Sequence, residues 1–129
     1  MIKIFLSYAH QDASEAVHRL RSELELAGFT VWHDSEDMRG GELWKEQLRT
    51  ALREVDVVLV LLTPASVISE YVSWEWGNAL TLQKRIIPLL IIPCTVPDEL
   101  RRLHYHDLGE PSKYNSGFAA LIPGSRPFF

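Results

Sequence analysis

Val57-Val58-Leu59-Val60-Leu61-Leu62 runs without a polar residue straight into Thr63-Pro64. Six apolar residues lacking alternation need cover on both faces, the condition of a central strand in a parallel sheet. Thr63 followed by Pro64 reads as a helix cap and a first-turn proline, opening a helix predicted to run to about Leu82. Upstream, residues 44–55 carry helical spacing through Leu48, Ala51, Leu52 and Val55. Downstream, residues 86–92 read as another strand, in which Pro88 is expected near an end or a bulge because it offers no ladder donor.

Working outward, residues 2–7 form a short strand-like run, and residues 12–27 resume helical spacing. Asp12 and Glu15 make a capping-box pattern at the start of that helix, and Gly28 supplies its stop. Residues 29–33 read as a second strand. Residues 34–42 are polar, contain Gly40 and Gly41, and read as a loop. Beyond Pro97 the pattern weakens to a short fifth strand over residues 103–108 and a short last helix over residues 116–122. Strands alternating with helices over short connections predict an α/β fold, an open parallel sheet with helices on both faces. In such sheets function gathers at the carboxyl ends of the strands. Here those ends are residues 7–11, 34–41, 63–69 and 93–96.

Composition removes several function classes. The chain has 129 residues, enough for one domain with a real core. Its single Cys94 excludes a disulfide framework and a thiolate zinc site, and fits a reducing compartment. Against 17 Asp and Glu stand 13 Lys and Arg, a net charge of −4 that argues against binding nucleic acid by phosphate neutralisation. The N-terminus does not read as a signal peptide. The longest apolar run, residues 86–94, is about half of a membrane span. A cytoplasmic protein with no direct nucleic-acid or membrane partner is therefore expected. The strand ends hold no G-x-G-x-x-G, no P-loop and no G-x-S-x-G elbow. Strand three ends Leu62-Thr63 rather than in the Asp that a phosphoacceptor receiver needs.

Tyr71 and Glu75 lie four apart early in the predicted third helix, one turn from each other on one face. An aromatic beside a carboxylate near the strand ends can stack a planar ring and set a negative charge against a developing cation. Breaking a ribose–base bond generates such an oxocarbenium-like state. The same spacing equally suits a solvated carboxylate beside a packed aromatic. Asp34, Glu36 and Asp37 make an acidic loop, and Trp44, opening the next helix, suits either the core or a ligand platform. His104 and His106 share one strand face without a convincing third ligand. Cys94 has no neighbouring His or Lys in sequence to activate it.

In order, the chain shows Ile4-Phe5-Leu6-Ser7-Tyr8-Ala9-His10-Gln11-Asp12, then Gly28-Phe29-Thr30-Val31-Trp32-His33-Asp34, then Gly41-Glu42-Leu43-Trp44. Residues 57–63 with Ser66 come next, and after them Ser69-Glu70-Tyr71-Val72 with Glu75 and Ala79-Leu80. This ordered set resembles the TIR (Toll/interleukin-1 receptor) domains over residues 1–93, and less distinctly to about 122. The likeness is to the compact bacterial and plant-like type rather than the longer animal receptor type.

The resemblance implies a flavodoxin-like sheet of five parallel strands in the order 2-1-3-4-5. It assigns residues 1–122 to the domain and residues 123–129 to a tail or the start of a linker. Residues 34–42 would be the loop that mediates assembly with other TIR domains and covers the active site. Many members cleave NAD⁺ at the nicotinamide–ribose bond, releasing nicotinamide with ADP-ribose or a cyclic ADP-ribose, in bacterial defence or signalling. NAD⁺ would be a substrate, with no cofactor and no metal required. Glu75 would be the catalytic glutamate, holding the ribose hydroxyls and stabilising the cationic transition state. Tyr8, His10, Asp34, Trp44, Ser69 and Tyr71 would line the pocket. Two positions depart from the family pattern: Ala9-His10 stands where many members carry a basic residue, and Tyr71 stands in place of the usual Trp. A non-catalytic adaptor working through TIR–TIR pairing remains a second reading. A nucleoside deoxyribosyltransferase-like enzyme is a third.

Overall fold

The computed structural model describes residues 2–9, 15–32, 44–103 and 106–107. Its elements follow in the order β1 (Lys3–Ser7), α1 (Glu15–Leu26), β2 (Thr30–Trp32), α2 (Trp44–Glu54), β3 (Val57–Leu62), α3 (Pro64–Val67), α4 (Glu70–Thr81), β4 (Arg85–Leu90), α5 (Asp98–Arg101) and β5 (His106–Asp107). The strands form one parallel sheet in the order β2-β1-β3-β4-β5. Four strands of three to six residues carry it, and β5 adds a two-residue edge beside Leu89 and Leu90. All six residues of β3 are buried, as a strand covered on both faces requires.

Strand alternation sorts the core into two layers. Ile4 and Leu6 of β1, Val57, Leu59 and Leu61 of β3, and Ile87 and Leu89 of β4 pack with Val17, Leu20 and Leu24 of α1. The other parity (Phe5, Val58, Val60, Leu62 and Ile86) packs with Leu48, Ala51 and Leu52 of α2, Val72 and Ala79 of α4, and Leu100 of α5. Helices thus cover both faces. On the second face Phe5 stacks on Trp32, with ring centroids 4.8 Å apart.

The structure corrects three expectations and adds one helical turn. The single helix foreseen from Pro64 to about Leu82 is two. Thr63 and Ser66 cap α3 reciprocally: Thr63 Oγ1 accepts the Ser66 amide at 3.0 Å, and Ser66 Oγ accepts the Thr63 amide at 2.9 Å. Ile68 ends that turn, and Ser69 takes an extended conformation (ψ 126°) as the N-cap of α4. Pro88 sits inside β4, in register with Val60, rather than at an end or a bulge. The Ile91 amide donates to Leu62 on β3. By ladder alternation the Pro88 nitrogen therefore faces the opposite side of the strand, toward β5, whose described pairs are with Leu89 and Leu90. The helical turn α5 went unforeseen. Finally, among the described residues of the expected 103–108, His106–Asp107 form β5 and Leu103 lies outside it. The Asp12 cap, the loop over residues 34–42 and the helix over residues 116–122 lie outside the described residues.

Two helices end on the same device. After α1 the Gly28 amide donates to Glu25 and the Phe29 amide to Leu24, with Gly28 at φ +100°. After α4 the Gln83 amide donates to Leu80 and the Lys84 amide to Ala79, with Gln83 at φ 58°. Both are Schellman closures needing a left-handed residue.

Candidate active site

Three sequence-predicted residues share α4. Ser69 caps it, its hydroxyl accepting the Val72 amide at 3.3 Å. Tyr71 follows in the first turn, half-buried, and Glu75 lies one turn further. The buried residues of α4 are Val72, Glu75 and Ala79, a spacing that draws one stripe along the helix. Glu75 therefore points inward, and its 0% exposure removes the reading of a solvated carboxylate.

What Glu75 meets there is Ser7. The last residue of β1 shares the parity of Phe5, so its side chain turns to the face that α2 and α4 cover. Its hydroxyl donates to Glu75 Oε1 at 2.6 Å, a short bond between two fully buried side chains. This brings a carboxylate to the carboxyl end of β1, where an open parallel sheet places its ligands. Sequence reasoning missed Ser7. A signal was available, since a hydroxyl closes an otherwise apolar strand at an inward-facing position.

Tyr8 follows directly, 7% exposed and packed in the layer of α1. Trp44 is the first residue of α2, as expected. His10 and Asp34, with the rest of the acidic loop, lie outside the described residues. Trp74, beside Glu75 on α4, packs against the second layer and carries the Arg49 guanidinium 5.5 Å from its ring centroid. Partial burial raises the pKa of the Cys94 thiol above its ordinary value. Among the described residues no group of three or more His, Cys, Asp or Glu is placed to hold a metal ion, and no helix is long and apolar enough to cross a membrane.

Comparison with known proteins adds four findings. The family model for the TIR domain matches residues 4–122. A probable 2′ cyclic ADP-D-ribose synthase of Brachypodium distachyon is 29% identical over 105 residues, covering 74% of this chain and 47% of that protein. A 2′ cyclic ADP-D-ribose synthase of Bacteroides thetaiotaomicron is 25% identical over 89 residues, covering 66% of this chain and 31% of that protein. The chain thus spans less than half the length of either relative. Among solved structures, the TIR domain of a Toll-related receptor from Hydra magnipapillata superposes with a TM-score of 0.81 at 22% identity, covering 95% of this chain and 96% of that one.

Proposed function

The chain belongs to the TIR domain family, and from that premise we propose that it cleaves NAD⁺ at the nicotinamide–ribose bond with Glu75 as the catalytic carboxylate. The observation that carries the proposal is a fully buried glutamate on α4, hydrogen-bonded at the carboxyl end of β1. A carboxylate removed from bulk water interacts strongly with charge that develops beside it. In the reaction, the bond between ribose C1′ and the pyridinium nitrogen breaks, and its electron pair leaves with nicotinamide. The ribose carbon becomes oxocarbenium-like, and the Glu75 carboxylate stabilises that cation. Water then adds at C1′ and loses a proton, giving ADP-ribose. Alternatively, a hydroxyl of the same molecule adds at C1′ with the same proton loss, giving a cyclic product. The names of both relatives favour the cyclic outcome. Tyr71, one turn before Glu75, supplies an aromatic ring for the pocket. Tyr8, His10, Asp34, Trp44 and Ser69 complete the proposed set, and assembly through residues 34–42 is the proposed trigger, in bacterial defence or signalling.

The test is incubation with NAD⁺ at high protein concentration, with chromatographic detection of nicotinamide and of linear and cyclic ADP-ribose. Release that vanishes in Glu75→Gln supports the assignment, and release that persists there refutes it. The second reading offered by the sequence is a non-catalytic module that pairs with other TIR domains. Its signature is no turnover under enforced oligomerisation, with association lost on substituting residues 34–42.

A further inference from the structure

We propose that Ser7 is a positioning residue for Glu75, holding its carboxylate charged and in one orientation. The inference rests on the reading of Glu75 as the group that faces the ribose. Ser7 sits in apolar company: its register partner on β3 is Val60, and Phe5, Leu62 and Val72 share its layer. A hydroxyl there is costly to bury unless it is hydrogen-bonded, and it donates to Glu75 Oε1 at 2.6 Å.

That bond has two consequences for a carboxylate. Rotation about the last side-chain bond of Glu is soft and roughly two-fold, so an unheld carboxylate samples many planes. Anchoring Oε1 selects one plane and therefore one direction for Oε2. Donation to the ionised form also favours that form against the burial that opposes it. Both properties suit a group that must present a negative charge in a set place as the ribose turns cationic. The anchor is itself rigid. Ser7 is in register with Val60 of β3 and closes β1, whose Lys3, Ile4 and Phe5 also pair with β2. The strand therefore sets the position of the donor, and α4 sets that of the acceptor.

The experiment uses the full chain as wild type, Ser7→Ala, Ser7→Cys and Ser7→Thr. It reads kcat and KM for nicotinamide release, together with the pH titration of the Glu75 side-chain carboxyl by ¹³C NMR. Ser7→Ala is expected to lower kcat about 10–100-fold, by analogy with the loss on removing a hydrogen-bond partner that orients a metal ligand, with KM nearly unchanged. The Glu75 titration midpoint is expected to rise as the donor to the ionised form is lost. Ser7→Thr, which keeps a hydroxyl, is expected to restore the midpoint. Should the alanine variant not fold, Ser7→Cys, close in size and a weak donor, makes the same comparison. An alanine or cysteine variant with wild-type kcat and an unmoved midpoint overturns the proposal. A wild type that releases no nicotinamide overturns the reading of Glu75 instead, while the titration still reports on Ser7 without turnover.

Discussion

Glu75 stands three residues after Val72 on the same buried stripe of α4, so a carboxylate occupies a position that helix geometry assigns to the core. Burying a charge opposes folding even when it is hydrogen-bonded. Glu75→Gln keeps the shape, and its amide oxygen can still accept from Ser7, while the charge is removed. The variant is expected to melt at or above the wild-type temperature, with a gain of up to about 1 kcal/mol, or a few degrees. Nicotinamide release is expected to vanish in the same protein. A differential scanning calorimetry trace with a clearly lowered midpoint would show that the charge stabilises the fold.

Ser69 bears on the same helix from its N-terminus. Its hydroxyl satisfies the Val72 amide, one of the otherwise unpaired donors of the first turn of α4. Ser69→Ala is expected to cost about 1 kcal/mol, seen as a lower denaturant midpoint at constant slope. Ser69→Asp keeps a capping oxygen and adds a negative charge at the helix N-terminus, so it is expected to recover that loss. Equal stability of all three proteins would show that the cap contributes nothing.

How much of this was legible follows from which interactions are local. The bounds of β3 can be read from residues 57–62 because nothing in that run competes with a doubly covered strand. Gly28 marks the end of α1 because only a left-handed residue closes that turn without strain. The break between α3 and α4 was hidden. Ile68 and Ser69 are acceptable inside a helix, and the outcome depends on where the Ser66 and Ser69 hydroxyls turn, Ser66 back to Thr63 and Ser69 to Val72. Glu75 could be singled out by its spacing from Tyr71, but its burial could not. Its contact with Ser7 spans 68 positions and depends on which helix covers which face of the sheet. The order of strands decides that, and no local pattern carries it.

Cys94 offers a prediction in pH. Burial raises the thiol pKa, so the thiolate fraction at any pH near neutrality falls below that of an unperturbed cysteine. Because the thiolate is the nucleophile, alkylation by iodoacetamide at pH 7.5 is expected to run slower than for a small free thiol. The rate is expected to keep rising with pH beyond the point where the free thiol levels off. Mass spectrometry of quenched time points measures both. A rate equal to the free thiol's across the range would contradict the direction of the shift.

The two Schellman closures give opposite expectations for one kind of change. Gly28 sits at φ +100° with no heavy atom within 4 Å of where a Cβ would be, so Gly28→Ala meets backbone strain and no packing clash. A side chain in this left-handed region costs about 1–2 kcal/mol. Alanine recovers part of that by restricting the unfolded chain, by about 0.4–1 kcal/mol. Gly28→Ala is thus expected to destabilise by about 1 kcal/mol. Gln83 already bears the same strain at φ 58° in the corresponding place after α4, and its side chain is exposed. Gln83→Gly relieves the strain and frees the unfolded chain, so it is expected to stabilise by up to about 1 kcal/mol. Chemical denaturation of the two single variants and the double variant measures both terms. The closures lie at the ends of different helices and share no partner, so the two changes are expected to add within about 0.5 kcal/mol. A destabilised Gln83→Gly variant would mean that the glutamine side chain contributes more than its backbone strain costs.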